Sequence, residues 1–210
     1  MTKKRAAVHF DKTGKLEKAF VMDKKTREIN VYDGDGAKTH HFTKEERDAL
    51  YYYKYHPDAI HFKLRSARNM YSGSFMEEAE NAVNMLESIF NNPNKIFRTE
   101  KNLTLYRGLQ SDLSEDDIEA LNTVGAVYKD KSFCSTTTNL NVAKAFSGGI
   151  SPILEISFPK NSKYVDIEGL FNIDHRHWSE DELLLNKGSK FLITGYNPEK
   201  NTIKCDYIGE

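Results

Sequence analysis

The spacing of apolar residues changes near Asn102, and this change constrains the fold more than any other feature of the sequence. Between Thr43 and Phe90 apolar residues recur every three or four positions, which is typical of amphipathic helices. After it the chain consists of short β-type runs separated by turn residues. Helices followed by many short strands predict an α+β fold, with the strands in two packed sheets.

Three helices are predicted before the change. Thr43-Lys-Glu-Glu46 is a capping box, so the first helix begins there and ends near Pro57. The second is predicted over residues 58–68 and the third over residues 74–90, each with its apolar residues on one face. A further short helix is predicted over residues 139–146.

Residues 1–42 differ from the rest of the chain. Two β-type runs, 19–22 and 29–32, flank a polar turn and predict a hairpin. The expected organisation is therefore an N-terminal β-hairpin extension over residues 1–42 and one domain over residues 43–210.

No metal site is predicted. Asp33-Gly-Asp-Gly36 resembles the start of a calcium-binding loop, but Ala37 stands where that loop needs an oxygen ligand, and the closing glutamate is absent. Cys134 and Cys205 are too few for a disulfide framework and belong to no His/Cys cluster. Both are expected to be ordinary thiols.

The sequence suits a soluble globular protein and argues against nucleic acid and membrane as partners. The 210 residues are 39% hydrophobic and 29% charged, enough for one domain with a core. A formal net charge of -1 argues against a nucleic-acid binder, which usually carries a basic excess. Asp11, Lys12 and Lys15 interrupt the N-terminus before any long apolar stretch, so neither a signal peptide nor a membrane-spanning helix is predicted.

Two polar positions at predicted strand ends are candidates for a site. Arg107 precedes Gly108, so a guanidinium that can clamp phosphate adjoins backbone that can approach a ligand closely. A solvated surface arginine is the alternative. In Ser135-Thr-Thr137 the first and last hydroxyls would share one face of a strand, and an ordinary half-exposed strand is the alternative.

Glu180 and Glu182 open an apolar run, where strand alternation predicts that they share one face. Two carboxylates so close repel each other unless a cation or ligand lies between them. A solvated acidic strand entrance is the alternative. Together with Arg107 and Ser135, the pair suits a sugar that is linked to a pyrophosphate and carries a positively charged leaving group. The arginine would hold phosphate, and a carboxylate would stabilise the sugar cation.

Three segments, in order, resemble motifs of the Arg-Ser-Glu class of mono-ADP-ribosyltransferases, which includes binary actin-modifying toxins, Rho-modifying exoenzymes and phage transferases. The segments are Leu105-Tyr-Arg-Gly108, Phe133-Cys-Ser-Thr-Thr137 and Glu180-Asp-Glu-Leu-Leu-Leu-Asn-Lys-Gly-Ser-Lys-Phe191. The resemblance implies a fold in which N-terminal helices precede two mostly antiparallel sheets around an NAD cleft. It makes residues 43–210 the catalytic domain and leaves residues 1–42 without a counterpart.

The resemblance also implies a role for each site residue. Arg107 would contact the phosphate and ribose of NAD, and the Gly108 backbone would lie near the nicotinamide amide. Ser135 would orient Glu182, which would hydrogen-bond the ribose 2′-hydroxyl and stabilise the oxocarbenium ion as nicotinamide leaves. Glu180 would position a guanidinium and accept its proton, because glutamate here marks the arginine-modifying members and glutamine the asparagine-modifying ones.

Two further residues resemble NAD ligands of the family. Residues 60–65 are similar to a segment whose arginine binds phosphate, which makes Arg65 a candidate, with His61 where the family has asparagine. Phe146 resembles the aromatic residue that packs on nicotinamide, with core packing as the alternative. Gly149 stands where many relatives carry an arginine.

The predicted function is NAD-dependent transfer of ADP-ribose to arginine side chains of a target protein, with no metal. Trp178, in the polar segment 172–179, is expected to contact that target, which could be a bacterial host protein or a eukaryotic cytosolic protein such as actin. The protein is expected to be a monomer that binds neither nucleic acid nor membrane. It would act in the cytosol of a host or target cell after delivery by a phage or by non-classical secretion. An NAD glycohydrolase and a non-catalytic phage or virion module on the same fold remain open alternatives.

Overall fold

The computed structural model describes residues 4–10, 13–65, 74–109, 113–149, 151–171 and 180–210. These residues form helices and strands in a mixed arrangement, which confirms the predicted α+β class. They divide into two compact units. The first lies within Met1–Ile96 and Val165–Ser179, and the second within Phe97–Tyr164 and Glu180–Glu210. The predicted boundary after residue 42 does not coincide with this division.

The helices are α1 Lys44–Tyr55, α2 Pro57–Arg65, α3 Ser74–Asn91, α4 Glu115–Asn122, α5 Leu140–Phe146 and α6 Ile167–Phe171. The strands are β1 Lys4–Phe10, β2 Leu16–Asp23, β3 Ile29–Asp33, β4 Lys38–Phe42, β5 Phe97–Arg98, β6 Leu103–Gly108, β7 Val127–Lys129, β8 Cys134–Thr137, β9 Ile153–Phe158, β10 Lys163–Asp166, β11 Glu182–Leu185, β12 Lys190–Asn197 and β13 Thr202–Gly209. Within the described residues, no helix is both long enough and apolar enough to cross a membrane.

The N-terminal segment forms a four-stranded antiparallel sheet in the order β1-β2-β3-β4. The predicted hairpin is present as β2 and β3, but the expectation of a hairpin alone is wrong. Strands β1 and β4 lie at the two edges, where a strand buries little side-chain surface and needs few apolar residues. Val8 and Phe10 of β1 are more than half exposed, and β4 has one apolar residue, Phe42.

The predicted helices of the first unit are present. The Thr43 side chain accepts a hydrogen bond from the Glu46 amide, which completes the capping box at the start of α1. Helix α3 buries the apolar stripe that its sequence predicts. Helix α2 is described as far as Arg65, and the remaining residues of its predicted span, 66–68, lie outside the described residues.

A nine-stranded sheet is the frame of the second unit, in the order β5-β10-β11-β8-β6-β9-β13-β12-β7. Its described pairings are antiparallel except that of β9 with β13. The strands after Asn102 thus belong to one hydrogen-bonded sheet. Of the two sheets in the described residues, the other is the N-terminal one. Strands β11, β8 and β6 are adjacent although they are far apart in sequence, and they carry Glu182, Ser135 and Arg107.

Two helices of the second unit bring further parts of the chain to this sheet. Asn139 caps α5, since its side chain accepts a hydrogen bond from the Asn141 amide, and α5 packs against β6 and β8. Helix α4 was not predicted, although Ser114 and Asp117 form a capping box at its start.

A substitution at Gly169, in helix α6, tests the core packing of the first unit. A Cβ at Gly169 would collide with the ring of Phe20, which is fully buried. Overpacking a core costs about 1–3 kcal/mol, so Gly169→Ala should lower the free energy of unfolding even though alanine favours a helix more than glycine does. Chemical denaturation measures this loss. A Phe20→Leu change should remove most of it, and an undiminished loss in that background would contradict the assigned collision.

Candidate active site

Ser135 and Glu182 meet on neighbouring strands. In the pairing of β8 with β11, Glu182 lies opposite Thr137 and Leu184 lies opposite Ser135, so all four side chains share one face of the sheet. The Ser135 hydroxyl donates a hydrogen bond to Oε1 of Glu182. The Glu182 residue is only 5% exposed. Because a buried carboxylate is costly without hydrogen bonds, this contact both stabilises the carboxylate and fixes its orientation.

The two threonines that follow Ser135 hold the backbone of the acidic segment. Thr136 Oγ1 donates to the Leu183 carbonyl at 2.7 Å, and Thr137 Oγ1 donates to the Glu180 carbonyl at 2.5 Å. The sequence analysis predicted only that Thr137 shares a strand face with Ser135 and gave it no role in the site. Its hydroxyl in fact fixes the chain at Glu180, a function that a run of consecutive hydroxyls could have suggested.

Strand alternation does not place Glu180. Strand β11 begins at Glu182, and Asp181 adopts a left-handed conformation with φ of 47°. The prediction that the two glutamates share a face assumed that both lie in one strand. This assumption is wrong, because Glu180 precedes the strand. Aspartate tolerates the left-handed region better than most residues, and Glu180 is half-buried.

Arg107 lies inside the protein, so the alternative of a solvated surface arginine is wrong. It is 8% exposed. Its Nη2 lies 3.0 Å from Oδ2 of Asp130, and its Nη1 donates to the carbonyl of Ser135 at 3.0 Å. Tyr106 lies opposite Thr137, so Tyr106 shares the face of the Ser135 and Glu182 side chains and Arg107 leaves β6 on the other face. The proposed contact of Arg107 with phosphate stays a prediction.

Gly108 permits a close approach of helix to strand. A Cβ at this position would lie 2.6 Å from the carbonyl oxygen of Ala143 and 2.8 Å from the amide nitrogen of Ser147. The end of α5 thus occupies the space that a side chain would need. At this end of α5 the Phe146 residue is 59% exposed. Core packing of Phe146 is therefore wrong, and its ring is accessible to a ligand.

Arg65 and Trp178 were also predicted to belong to the site. Arg65 is the last residue of α2, in the first unit, and is half-buried. Trp178 lies outside the described residues. Among the described residues, no group of three or more His, Cys, Asp or Glu side chains could hold a metal ion.

Burial raises the pKa of several groups in the second unit, among them Tyr106 and Cys205. Burial and, to a smaller degree, the charge of Glu155 raise the pKa of Tyr106. Burial also raises the pKa of the Cys205 thiol. Cys134 and Cys205 are both buried, so neither has the exposure of a reactive cysteine.

The chain is similar to a family of known proteins over most of its length. A family model described as ADP-ribosyltransferase exoenzyme matches residues 14–207, which include β2, β3 and β4 of the N-terminal sheet. No curated protein sequence matches the chain.

Solved structures share the fold at low sequence identity. C3stau2 of S. aureus, solved with NAD, is 17% identical with a TM-score of 0.55, over 80% of this chain and 89% of that one. The ADP-ribosyltransferase Vis of Vibrio splendidus, solved with agmatine, is 21% identical with a TM-score of 0.60, over 79% and 75%. Exoenzyme S of Pseudomonas aeruginosa, bound to carba-NAD, is 19% identical with a TM-score of 0.55, over 78% and 72%.

The contact between Gly108 and α5 can be tested with a matched pair of glycines. Gly108→Ala should lower the free energy of unfolding by about 1–3 kcal/mol, because the new Cβ meets backbone atoms that cannot move independently of the helix. Gly195→Ala is the control, since Gly195 lies in β12 of the same sheet and a Cβ there would meet no atom within 4 Å. Equal stability of the two variants in thermal unfolding would contradict the close approach.

Proposed function

The chain belongs to the ADP-ribosyltransferase exoenzyme family, and we propose that it transfers ADP-ribose from NAD to arginine side chains of another protein. The observation that carries this proposal is the hydrogen bond from the Ser135 hydroxyl to the buried Glu182 carboxylate. It holds one acidic group in a fixed orientation on the sheet, with a second acidic residue, Glu180, two positions before it.

NAD supplies the ADP-ribosyl group when the bond between the nicotinamide nitrogen and ribose C1′ breaks, with the bonding electrons leaving on nicotinamide. Glu182 would hydrogen-bond the ribose 2′-hydroxyl and oppose the positive charge that develops on the ribose. Ser135 holds the Glu182 carboxylate in advance, so little reorganisation accompanies the reaction. A preorganised charge is worth more in a site with little water than in bulk solvent.

Features near Gly108 fit the nicotinamide end of NAD. The exposed Phe146 ring at the end of α5 offers an aromatic face on which a planar ring can stack. The end of α5 lies against the Gly108 backbone, so Phe146 is held next to β6. C3stau2 has been solved with NAD and exoenzyme S with carba-NAD, which supports NAD as the donor. Arg65 remains a proposed phosphate ligand.

Glu180 is the basis for proposing arginine as the acceptor. A carboxylate pairs well with a guanidinium, and the hydrogen bond from Thr137 holds the Glu180 backbone in place. A guanidino nitrogen of the target would form the new bond to ribose C1′, and Glu180 would accept the proton that this nitrogen loses. Vis has been solved with agmatine, which carries a guanidinium group, and this supports the same chemistry. The acceptor would be a protein with an exposed arginine, and Trp178 is a candidate for its recognition.

Two isosteric changes separate the roles of the glutamates. Glu182→Gln should lower the release of nicotinamide about 100-fold or more, in line with losing one electrostatic contact to the reacting centre. Glu180→Gln should abolish transfer to protein and to agmatine but keep NAD hydrolysis within a few-fold. Labelled NAD, bacterial and eukaryotic lysates, and agmatine as a small acceptor provide the measurement. Glu119→Gln, on the exposed surface of α4, is the control.

Each alternative has its own outcome in this experiment. Equal NAD consumption by the unmodified protein and by Glu180→Gln, with no labelled protein, would indicate a glycohydrolase. A lack of both NAD binding and NAD consumption would indicate a non-catalytic module. Protein labelling that persists in Glu182→Gln would contradict the mechanism. Mass spectrometry of labelled peptides identifies the modified residue, and asparagine instead of arginine would contradict the role of Glu180.

A further inference from the structure

Asp130 is a fully buried carboxylate between β7 and β8. Its residue exposure is 0%. One side-chain oxygen, Oδ1, accepts a hydrogen bond from the Ser132 amide at 2.9 Å, and the other, Oδ2, lies 3.0 Å from Nη2 of Arg107. Because removing a charge from water costs several kcal/mol unless it is paired and hydrogen-bonded, such a group indicates a position that the fold maintains for a reason other than simple packing.

The backbone of Asp130 holds the turn between β11 and β12. Its amide donates to the Ser189 carbonyl at 3.0 Å, and its carbonyl accepts from the Gly188 amide at 2.7 Å. Gly188 has φ of 79°, and Ser189 is fully buried and donates its hydroxyl to the Asn186 carbonyl. This turn follows β11, the strand that begins with Glu182. The Asp130 backbone is therefore hydrogen-bonded to the chain just after that strand.

Arg107 extends these contacts to β8. Its Nη2 faces Asp130, and its Nη1 donates to the carbonyl of Ser135, the residue whose hydroxyl holds Glu182. A guanidinium is planar and directs its donors in fixed directions. Its orientation on Asp130 therefore fixes the position of the Ser135 backbone, and with it the hydroxyl.

We propose that Asp130 is a positioning residue for the proposed transferase reaction, on which this inference rests. Asp130 orients Arg107, Arg107 holds the backbone of Ser135, and Ser135 orients the Glu182 carboxylate. In this arrangement the Arg107 guanidinium has two partners within the protein, the Asp130 carboxylate and the Ser135 carbonyl. Errors of about 1 Å in the placement of a reacting group can cost about 100-fold in rate, so the chain of contacts acts on turnover.

The isosteric change Asp130→Asn tests the proposal. Asparagine keeps the volume and an oxygen for the Ser132 amide but removes the charge opposite Arg107. We expect kcat for NAD consumption to fall about 10- to 100-fold while KM for NAD changes less than about twofold, because no contact with NAD is lost. A large rise in KM with unchanged kcat would instead assign Arg107 to NAD binding and overturn the proposal. Asp117→Asn, in the capping box of α4, is the matched control and should keep the unmodified kcat.

A double-variant cycle separates positioning from a general loss of structure. If Asp130 acts through Ser135, then Asp130→Asn should lower kcat by less than about threefold in a Ser135→Ala protein, because coupled residues are not additive. An undiminished effect in that background would contradict the proposal. If Asp130→Asn does not fold, Arg107→Lys replaces it, since lysine keeps the charge but has one nitrogen and cannot reach both partners. The same loss of kcat, again absent in the Ser135→Ala background, is expected.

Hydrogen exchange gives a readout that does not depend on turnover. Asp130→Asn should lower the protection of amides in β8 and β11 and leave β9 and β13 unchanged. Unchanged protection in β8 would overturn the proposal even if the protein consumes no NAD. Failure of the proposed function itself is visible separately, as an absence of NAD consumption by the unmodified protein.

Discussion

The register between β8 and β11 is the constraint on which the candidate site depends. Because side chains alternate along a strand, a slip of one residue would turn Glu182 to the opposite face and separate it from the Ser135 hydroxyl. The hydroxyls of Thr136 and Thr137 add two hydrogen bonds to carbonyls of the acidic segment, and these bonds exist in one register only. The same hydroxyl run therefore determines both the pairing of the strands and the placement of the carboxylate.

The side chains of β6 leave the strand on two faces with different neighbours. Tyr106 shares the face of Ser135 and Glu182, whereas Arg107 leaves the strand on the face that is buried with Leu105. Gly108 ends the strand with no side chain, so α5 can reach it and present Phe146 to solvent. The segment Tyr106–Gly108 thus combines a buried ion pair, Arg107 with Asp130, and a glycine against which the helix that carries the exposed Phe146 packs.

Local signals in the sequence predicted much of the fold but not its long-range pairing. The capping box at Thr43 and the apolar stripe of α3 are local, and both gave helices where they were expected. The apolar alternation of Ala6, Val8 and Phe10 indicates β1, but the prediction included only the hairpin of β2 and β3. The adjacency of β11, β8 and β6 and the left-handed conformation of Asp181 depend on partners distant in the chain. The chemistry of Arg107, Ser135 and the glutamate pair suggested one site, and the resemblance to a family supported that grouping.

The burial of Arg107 could have been read from its own strand. In Leu103-Thr-Leu-Tyr-Arg107 the alternate positions are Leu, Leu and Arg, so the arginine continues the row of residues that faces the core. A cation on such a face needs a buried counter-charge. The sequence offers Asp130 in a short polar segment just before β8, but nothing local marks it as the partner, because the polar residues around it are typical of any turn. Strand alternation therefore predicts that Arg107 is buried, even where its counter-charge is unknown.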